Sequence, residues 1–226
     1  MNVTQQVSTV CQLNIGGLSQ HSITALDKFI HDCNIEVLAL QEIGKQPINL
    51  DVFKGKSSFS TNNVKGVALS IATKYKPQLI NELSVPDVDV LFVLCSIDNM
   101  SVMLASCYCR PEISSTKSLK TLLGQLDKAW LWCKRHKIVN MIALGDYNAR
   151  STAWGDSLCN GRGRTLSEYV EERNHVVLHS TGSNTFLTAD GGSCIDLSLS
   201  YGSIHGNIKF WHLGQSIVTL CSLEHQ

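Results

Sequence analysis

The strongest constraint in this chain is where its polar residues fall relative to its apolar runs. Short apolar stretches end repeatedly at a residue that can hydrogen-bond or carry charge: residues 7–13 at Asn14, 36–40 at Gln41-Glu42, 102–107 at Tyr108, and 138–144 at Gly145-Asp146-Tyr147-Asn148. Asp196 lies within the apolar run Cys194-Ile195-Asp196-Leu197. Runs of roughly four to eight apolar, β-rich residues bounded by turn residues read as strands. A carboxylate inside such a run needs a partner, because an unpaired buried charge is costly.

Around these strands the periodicity predicts helices. Ile23, Leu26, Ile30 and Cys33 recur at helical spacing, and Leu119, Leu122, Leu123, Leu126, Trp130 and Cys133 form one face with Lys120, Asp127, Lys128 and Lys134 off it. A third helix is expected from about Arg164 to Arg173. Further strands are expected at 65–72, 90–97, 175–178, 184–187, 194–199, 207–212 and 217–220, with a hairpin turn at 98–101. No repeat or long linker interrupts the chain. Residues 1–226 are therefore read as a single α/β domain of two packed, largely antiparallel sheets with few helices.

Composition narrows the function classes. A chain of 226 residues with 43% hydrophobic content can bury a sizeable core. A formal net charge of zero argues against a sequence-independent polycationic binder. No apolar run is long enough to span a bilayer, and the start Met1-Asn2-Val3-Thr4-Gln5-Gln6 has no signal-peptide pattern. The nine cysteines include no C-x-x-C pair, which speaks against a zinc module, and their odd count without a signal-peptide pattern fits a reducing compartment. A soluble intracellular protein with no membrane partner is expected.

The strand-end residues suit phosphodiester chemistry. A hard divalent cation takes oxygen ligands, and magnesium typically uses one or two carboxylates with water and phosphate oxygen. Glu42 is the first candidate ligand, with Asn14 orienting the metal or its water. Asp146 would orient or deprotonate the attacking water, Asn148 would donate to the phosphate, and Tyr108 would offer it a hydroxyl. A histidine held by a carboxylate would stabilise charge or act as a base. Each position also has an ordinary reading: turn residues for Asn14 and Asn148, a solvated strand end for Glu42, a core tyrosine for Tyr108. Spacing alone does not choose between a site and a set of strand ends.

The order of the motifs adds a resemblance. Leu13-Asn14, Leu38-Ala39-Leu40-Gln41-Glu42, Tyr108-Cys109-Arg110-Pro111, Leu144-Gly145-Asp146-Tyr147-Asn148-Ala149 and Ser193-Cys194-Ile195-Asp196-Leu197 resemble the endonuclease/exonuclease/phosphatase superfamily. Trp154-Gly155-Asp156, Asn160-Gly161-Arg162-Gly163-Arg164 and Asn184-Thr185-Phe186-Leu187 are similar to its LINE-type (non-LTR) retrotransposon branch. The resemblance implies a four-layered α/β sandwich of the DNase I-like type and Mg2+-dependent nicking of double-stranded DNA, with Mn2+ as a substitute. It places Asn14 and Glu42 on the metal side, Tyr108 on the phosphate, Asp146 and Asn148 in the central Asp-x-Asn, and Asp196 behind the catalytic histidine. Thr185 matches a polar position near the DNA-binding edge. His225 fits the histidine, while Glu224 stands where a metal-side Asp is expected and Leu223 replaces a Ser.

By the same resemblance a final strand is expected to be missing, leaving the domain C-terminally truncated. The expected partner beyond DNA is the reverse transcriptase region of the same polyprotein, with the domain acting as a monomer and in the nucleus. Two alternatives stay open: a related abasic-site nuclease or phosphoesterase, and an inactive remnant. Gly161-Arg162-Gly163-Arg164 reads as a solvated turn or a phosphate contact, and Trp154 as packing. A protruding hairpin that reads groove shape is expected between Phe186 and Ser222.

Overall fold

The computed structural model describes residues 8–44, 53–61, 63, 65–97, 100–111, 115–178, 184–188, 191–202, 208–213 and 218–223. Two six-stranded sheets face each other. The first contains β1 (Ser8–Asn14), β2 (Val37–Gln41), β3 (Lys56–Ser60), β4 (Val67–Ala72), β13 (Ile208–Leu213) and β14 (Val218–Leu223), in the order β13-β14-β1-β2-β4-β3. The second contains β5 (Gln78–Leu79), β6 (Asp89–Ile97), β7 (Met100–Tyr108), β8 (Asn140–Asp146), β9 (Val176–Leu178) and β12 (Asp196–Gly202), in the order β5-β6-β7-β8-β12-β9. The short strands β10 (Phe186–Thr188) and β11 (Gly191–Ser193) pair separately as an antiparallel ribbon. Only β1 with β2 and β7 with β8 pair in parallel; the other described pairings are antiparallel.

Among the described residues three α-helices cover the outer faces. Ile23, Leu26 and Ile30 of α1 (Gln20–Asp32) pack on the first sheet with Cys11, Leu38 and Leu40. The apolar face of α2 (Lys117–Arg135) and Leu166 and Tyr169 of α3 (Gly161–Glu172) pack on the second sheet with Phe92, Met103, Met141 and Leu199. Between the sheets lies a third cluster, built from Val37, Leu69, Val93, Leu104 and Leu144 among others. The result is helix, sheet, sheet, helix. Strands β2, β4 and β8 are buried along their whole length, which explains why they read as continuous apolar runs and not as alternating ones. Burying each large aliphatic side chain contributes roughly 1.5–3 kcal/mol, so the sandwich rests mainly on these three clusters.

Several sequence expectations change here. The third helix begins at Gly161, so the Gly161–Arg164 segment is its first turn and not a loop ahead of it. The Asn160 side chain caps that turn, accepting from the Gly163 amide at 2.7 Å and the Arg150 amide at 3.2 Å. Arg162 is buried and donates to the Cys109 and Tyr147 carbonyls, so it braces the interior and is not placed to meet a phosphate. Asp196 is the first residue of β12 and not an interior one, because Cys194 and Ile195 lie ahead of the strand. Strand β3 escaped the sequence reading because Lys56-Ser57-Ser58-Phe59-Ser60 has too few apolar residues to show a period. Strand β14 pairs with β1 up to Leu223, and residues 224–226 lie outside the described residues.

Candidate active site

Strand register brings the polar strand ends together. Tyr108 ends β7 opposite Asp146 at the end of β8, and Asp196 at the start of β12 stands opposite Asp146 on its other side. These three residues form a row along one edge of the second sheet. In the first sheet Asn14 ends β1 opposite Gln41, and Glu42 follows directly. Both parallel pairs contribute their C-terminal ends, where the crevice of an α/β sheet offers a binding site.

Side chains close the gap between the sheets. The Asn14 amide Nδ2 donates to Asp146 Oδ2 at 2.8 Å and to Glu42 Oε1 at 3.0 Å. Gln12 Nε2, two residues earlier on the same strand, donates to Asp196 Oδ1 at 3.2 Å. The backbone amide of Asn148 donates to Asp146 Oδ1 at 2.8 Å, and the Asn148 side chain is tethered to the Cys109 carbonyl at 3.1 Å. A cavity of about 340 Å³ is lined by Asn14, Glu42, Tyr108, Asp146, Asn148 and Asp196, with Phe186 at its rim. All six are residues that the sequence singled out. Glu224 and His225 lie outside the described residues.

Backbone geometry also marks the site. Glu42 and Asn148 both have positive φ, 53° and 48°. Asparagine tolerates this region; glutamate rarely occupies it, at a cost on the order of 1 kcal/mol. The chain around Glu42 is pinned by Ile15 N to Gln41 O at 3.0 Å and Gly44 N to Lys65 O at 2.7 Å, which offsets that cost.

The electrostatics are those of crowded carboxylates. Burial pushes Asp146 up to about 6, against the pull of the Asn148 and Asn14 hydrogen bonds, and the Glu42 charge adds to the rise. Burial and then the neighbouring Asp146 push Asp196 well above the usual carboxylate range. Burial would also raise Glu42, but hydrogen bonds from Lys65, Asn14 and Tyr108 outweigh it and hold this carboxyl below its ordinary value. Burial, then Glu42, raises the Tyr108 hydroxyl, which therefore stays a protonated donor at neutral pH.

This donor set fits a hard divalent cation. Among the described residues no group of three or more His, Cys, Asp and Glu side chains forms a metal cage. Magnesium requires no such cage. Glu42 and Asp146 are two carboxylates held by a single Asn14 amide, the Glu42 charge adds to the cost of ionising Asp146, and a shared cation would relieve that repulsion.

The supports of Asp196 were not evident from the sequence. Gln12 is one; an amide inside an apolar strand was the available signal, as for Asp196 itself. Thr185 is the other. It is buried, and its Oγ1 accepts from the Ile195 and Asp196 amides, both at 3.1 Å. The Trp154-Gly155-Asp156 segment braces the same junction. Trp154 Nε1 donates to the Ala149 and Cys194 carbonyls, and Asp156 Oδ2 accepts from the Cys194 amide at 2.8 Å while its carboxylate pairs with Arg150.

Two helix-covered sheets with an oxygen-rich pocket at their shared edge define the class of DNase I-like endonucleases. The endonuclease domain of TRAS1, a telomere-specific non-LTR retrotransposon, superposes with a TM-score of 0.79 at 17% identity, covering 97% of this chain and 99% of that one. The AP endonuclease LMAP from Leishmania major superposes with a TM-score of 0.74 at 13% identity, covering 98% and 89%. In sequence, the chain is 25% identical over 201 residues to the probable RNA-directed DNA polymerase from transposon BS of Drosophila melanogaster, a match covering 84% of this chain and 21% of that protein. Residues 102–220 match the family described as endonuclease-reverse transcriptase, and the chain belongs to that family.

Proposed function

We propose that this chain nicks double-stranded DNA by hydrolysing one phosphodiester bond with the help of a divalent cation, Mg2+ or in its place Mn2+. The observation that carries the reading is the Tyr108, Asp146 and Asp196 row of one sheet facing Asn14 and Glu42 of the other, joined by the Asn14 amide. Glu42, oriented by Asn14, would hold the cation, with Glu224 as a further candidate; the bound cation would neutralise charge on the phosphate.

Asp146, fixed by the Asn148 and Asn14 hydrogen bonds, orients the attacking water and takes its proton; burial brings its affinity for a proton close to the working pH. Asn148 spends one side-chain N–H on the Cys109 carbonyl and keeps the other for a phosphate oxygen. Tyr108 offers its hydroxyl to the same group. Asp196, held by Gln12 and Thr185, would orient His225 against the charge that develops on the phosphate. The water oxygen bonds to phosphorus as the bond to the 3′ oxygen breaks; the 3′ oxygen takes a proton from solvent water, leaving a 5′ phosphate on one side of the nick and a free 3′ hydroxyl on the other. Such an end suits priming by a reverse transcriptase region of the same polyprotein. We assign the domain to the nucleus when it acts, as a monomer.

The test is conversion of supercoiled plasmid to open circle with Mg2+ and its loss with a chelator. Glu42→Ala and Asp146→Ala are expected to abolish nicking. Undiminished cleavage by both variants would overturn the assignment of the site.

A further inference from the structure

The polar row of the second sheet continues past Tyr108. In the register of β6 against β7, Asp89 stands opposite Tyr108, so Asp89, Tyr108, Asp146 and Asp196 form one line across four adjacent strands. The last three line the catalytic cavity. Asp89 opens instead on a second cavity of about 300 Å³, lined also by Tyr108, Arg110, Lys117, Ser118 and Thr121. Tyr108 lines both cavities, so they adjoin at that side chain. The volume is at the lower end of the range for small-molecule sites, roughly 300–1,000 Å³.

Asp89 is 3% exposed, and its Oδ2 accepts from Arg110 Nε at 3.0 Å. Its Oδ1 is buried with no hydrogen-bond partner among the described residues. Buried carboxylate oxygens are normally satisfied, so an unpaired one beside a cavity points to a donor that arrives from outside. Arg110 keeps 44% of its side chain exposed while paired to Asp89, and Lys117 is exposed in the first turn of α2. Two cations at the mouth and an unpaired acceptor at the back match the chemistry of a nucleotide, which presents an anionic phosphate and a base amino group together.

We propose that this cavity is a flanking-nucleotide subsite: Arg110 and Lys117 take a phosphate next to the scissile one, and Asp89 Oδ1 accepts from the exocyclic amino group of a base. The inference rests on the reading of the neighbouring site as a DNA nuclease. It supplies a source of target preference that favours a base with an amino group on the groove edge facing Asp89 over thymine, which has no exocyclic amino group.

The experiment has a binding arm and a cleavage arm. Binding of a short labelled duplex is followed by anisotropy across a salt titration for the wild type and Lys117→Ala, and nick positions are mapped on a randomised duplex for the wild type and Asp89→Asn. Loss of one phosphate contact is expected to reduce the slope of log affinity against log salt by about one in Lys117→Ala. Asp89→Asn is expected to lose the bias against thymine. If Asp89→Asn does not fold, the Lys117→Ala slope decides alone. An unchanged slope with an unchanged nick pattern, in a wild type that nicks, overturns the subsite and leaves the nuclease reading intact. A wild type that binds but does not nick overturns the nuclease reading, and the slope still decides the subsite.

Discussion

The Asn14 amide donates to Asp146 Oδ2 at 2.8 Å, and through this bond the two sheets share one site. The same nitrogen reaches Glu42 Oε1 at 3.0 Å, so one neutral side chain separates two carboxylates that would otherwise face each other. Asn14→Ala removes both bonds and leaves the carboxylates free to move apart. Displacements on the 1 Å scale cost on the order of 10²-fold in rate, and a loss of at least this size is expected in initial nicking rates on supercoiled plasmid. A variant nicking at the wild-type rate would show that the amide has no positioning role.

Thr185 fixes Asp196 through the backbone. Its Oγ1 serves the Ile195 and Asp196 amides, so Thr185→Val, which keeps the shape, leaves two buried N–H groups without an acceptor. Each unsatisfied donor costs about 1–3 kcal/mol. A drop of roughly 2 kcal/mol or more in unfolding free energy is expected from urea denaturation, together with slower nicking. Thr185→Ser restores the oxygen and is expected to recover most of both; failure of serine to recover either would exclude the hydroxyl as the cause.

Two glycines in helices should respond in opposite ways. A Cβ on Gly163 would lie 1.7 Å from the Arg150 carbonyl oxygen, a backbone atom that cannot swing aside. Gly163→Ala is expected to destabilise by about 2–3 kcal/mol or more. A Cβ on Gly124, in α2, meets nothing within 4 Å. Gly124→Ala is expected to stabilise by roughly 0.5–1 kcal/mol, because alanine loses less backbone entropy in a helix. Denaturant midpoints moving in the same direction for both would contradict the packing described for α3.

His175 predicts an acid-side loss of stability that is independent of the catalytic site. Its ring lies 3.9 Å from that of Tyr201 and 5.7 Å from that of Tyr169, and burial lowers its pKa to about 4. The unfolded chain takes up this proton near pH 6.5. The folded state therefore binds fewer protons between these values, and the contribution of the neutral ring, complete above about pH 6.5, is lost as pH falls toward 4. Tm measured across this window is expected to fall less steeply in His175→Phe than in the wild type. Parallel curves would remove His175 as a source of the slope.

Local pattern determined much of this protein. The helical spacing of Ile23, Leu26 and Ile30, the apolar face of α2 and the apolar runs of β2, β7 and β8 are properties of neighbouring residues, as is the placing of Asn14, Glu42, Tyr108 and Asp146 at strand ends. Long-range pairing decided the rest. Asn14 and Asp146 are 132 positions apart, and Gln12 and Asp196 184 apart; nothing in their own segments records that they touch. They meet because parallel β1–β2 and parallel β7–β8 bring C-terminal strand ends to one edge, while antiparallel β12 enters at that same edge with Asp196 first. Periodicity reports which face of an element is apolar, whereas strand order and register depend on how distant apolar faces pack. That packing turns ordinary-looking strand ends into a pocket and draws Thr185 and Arg162 inward from positions that read as surface.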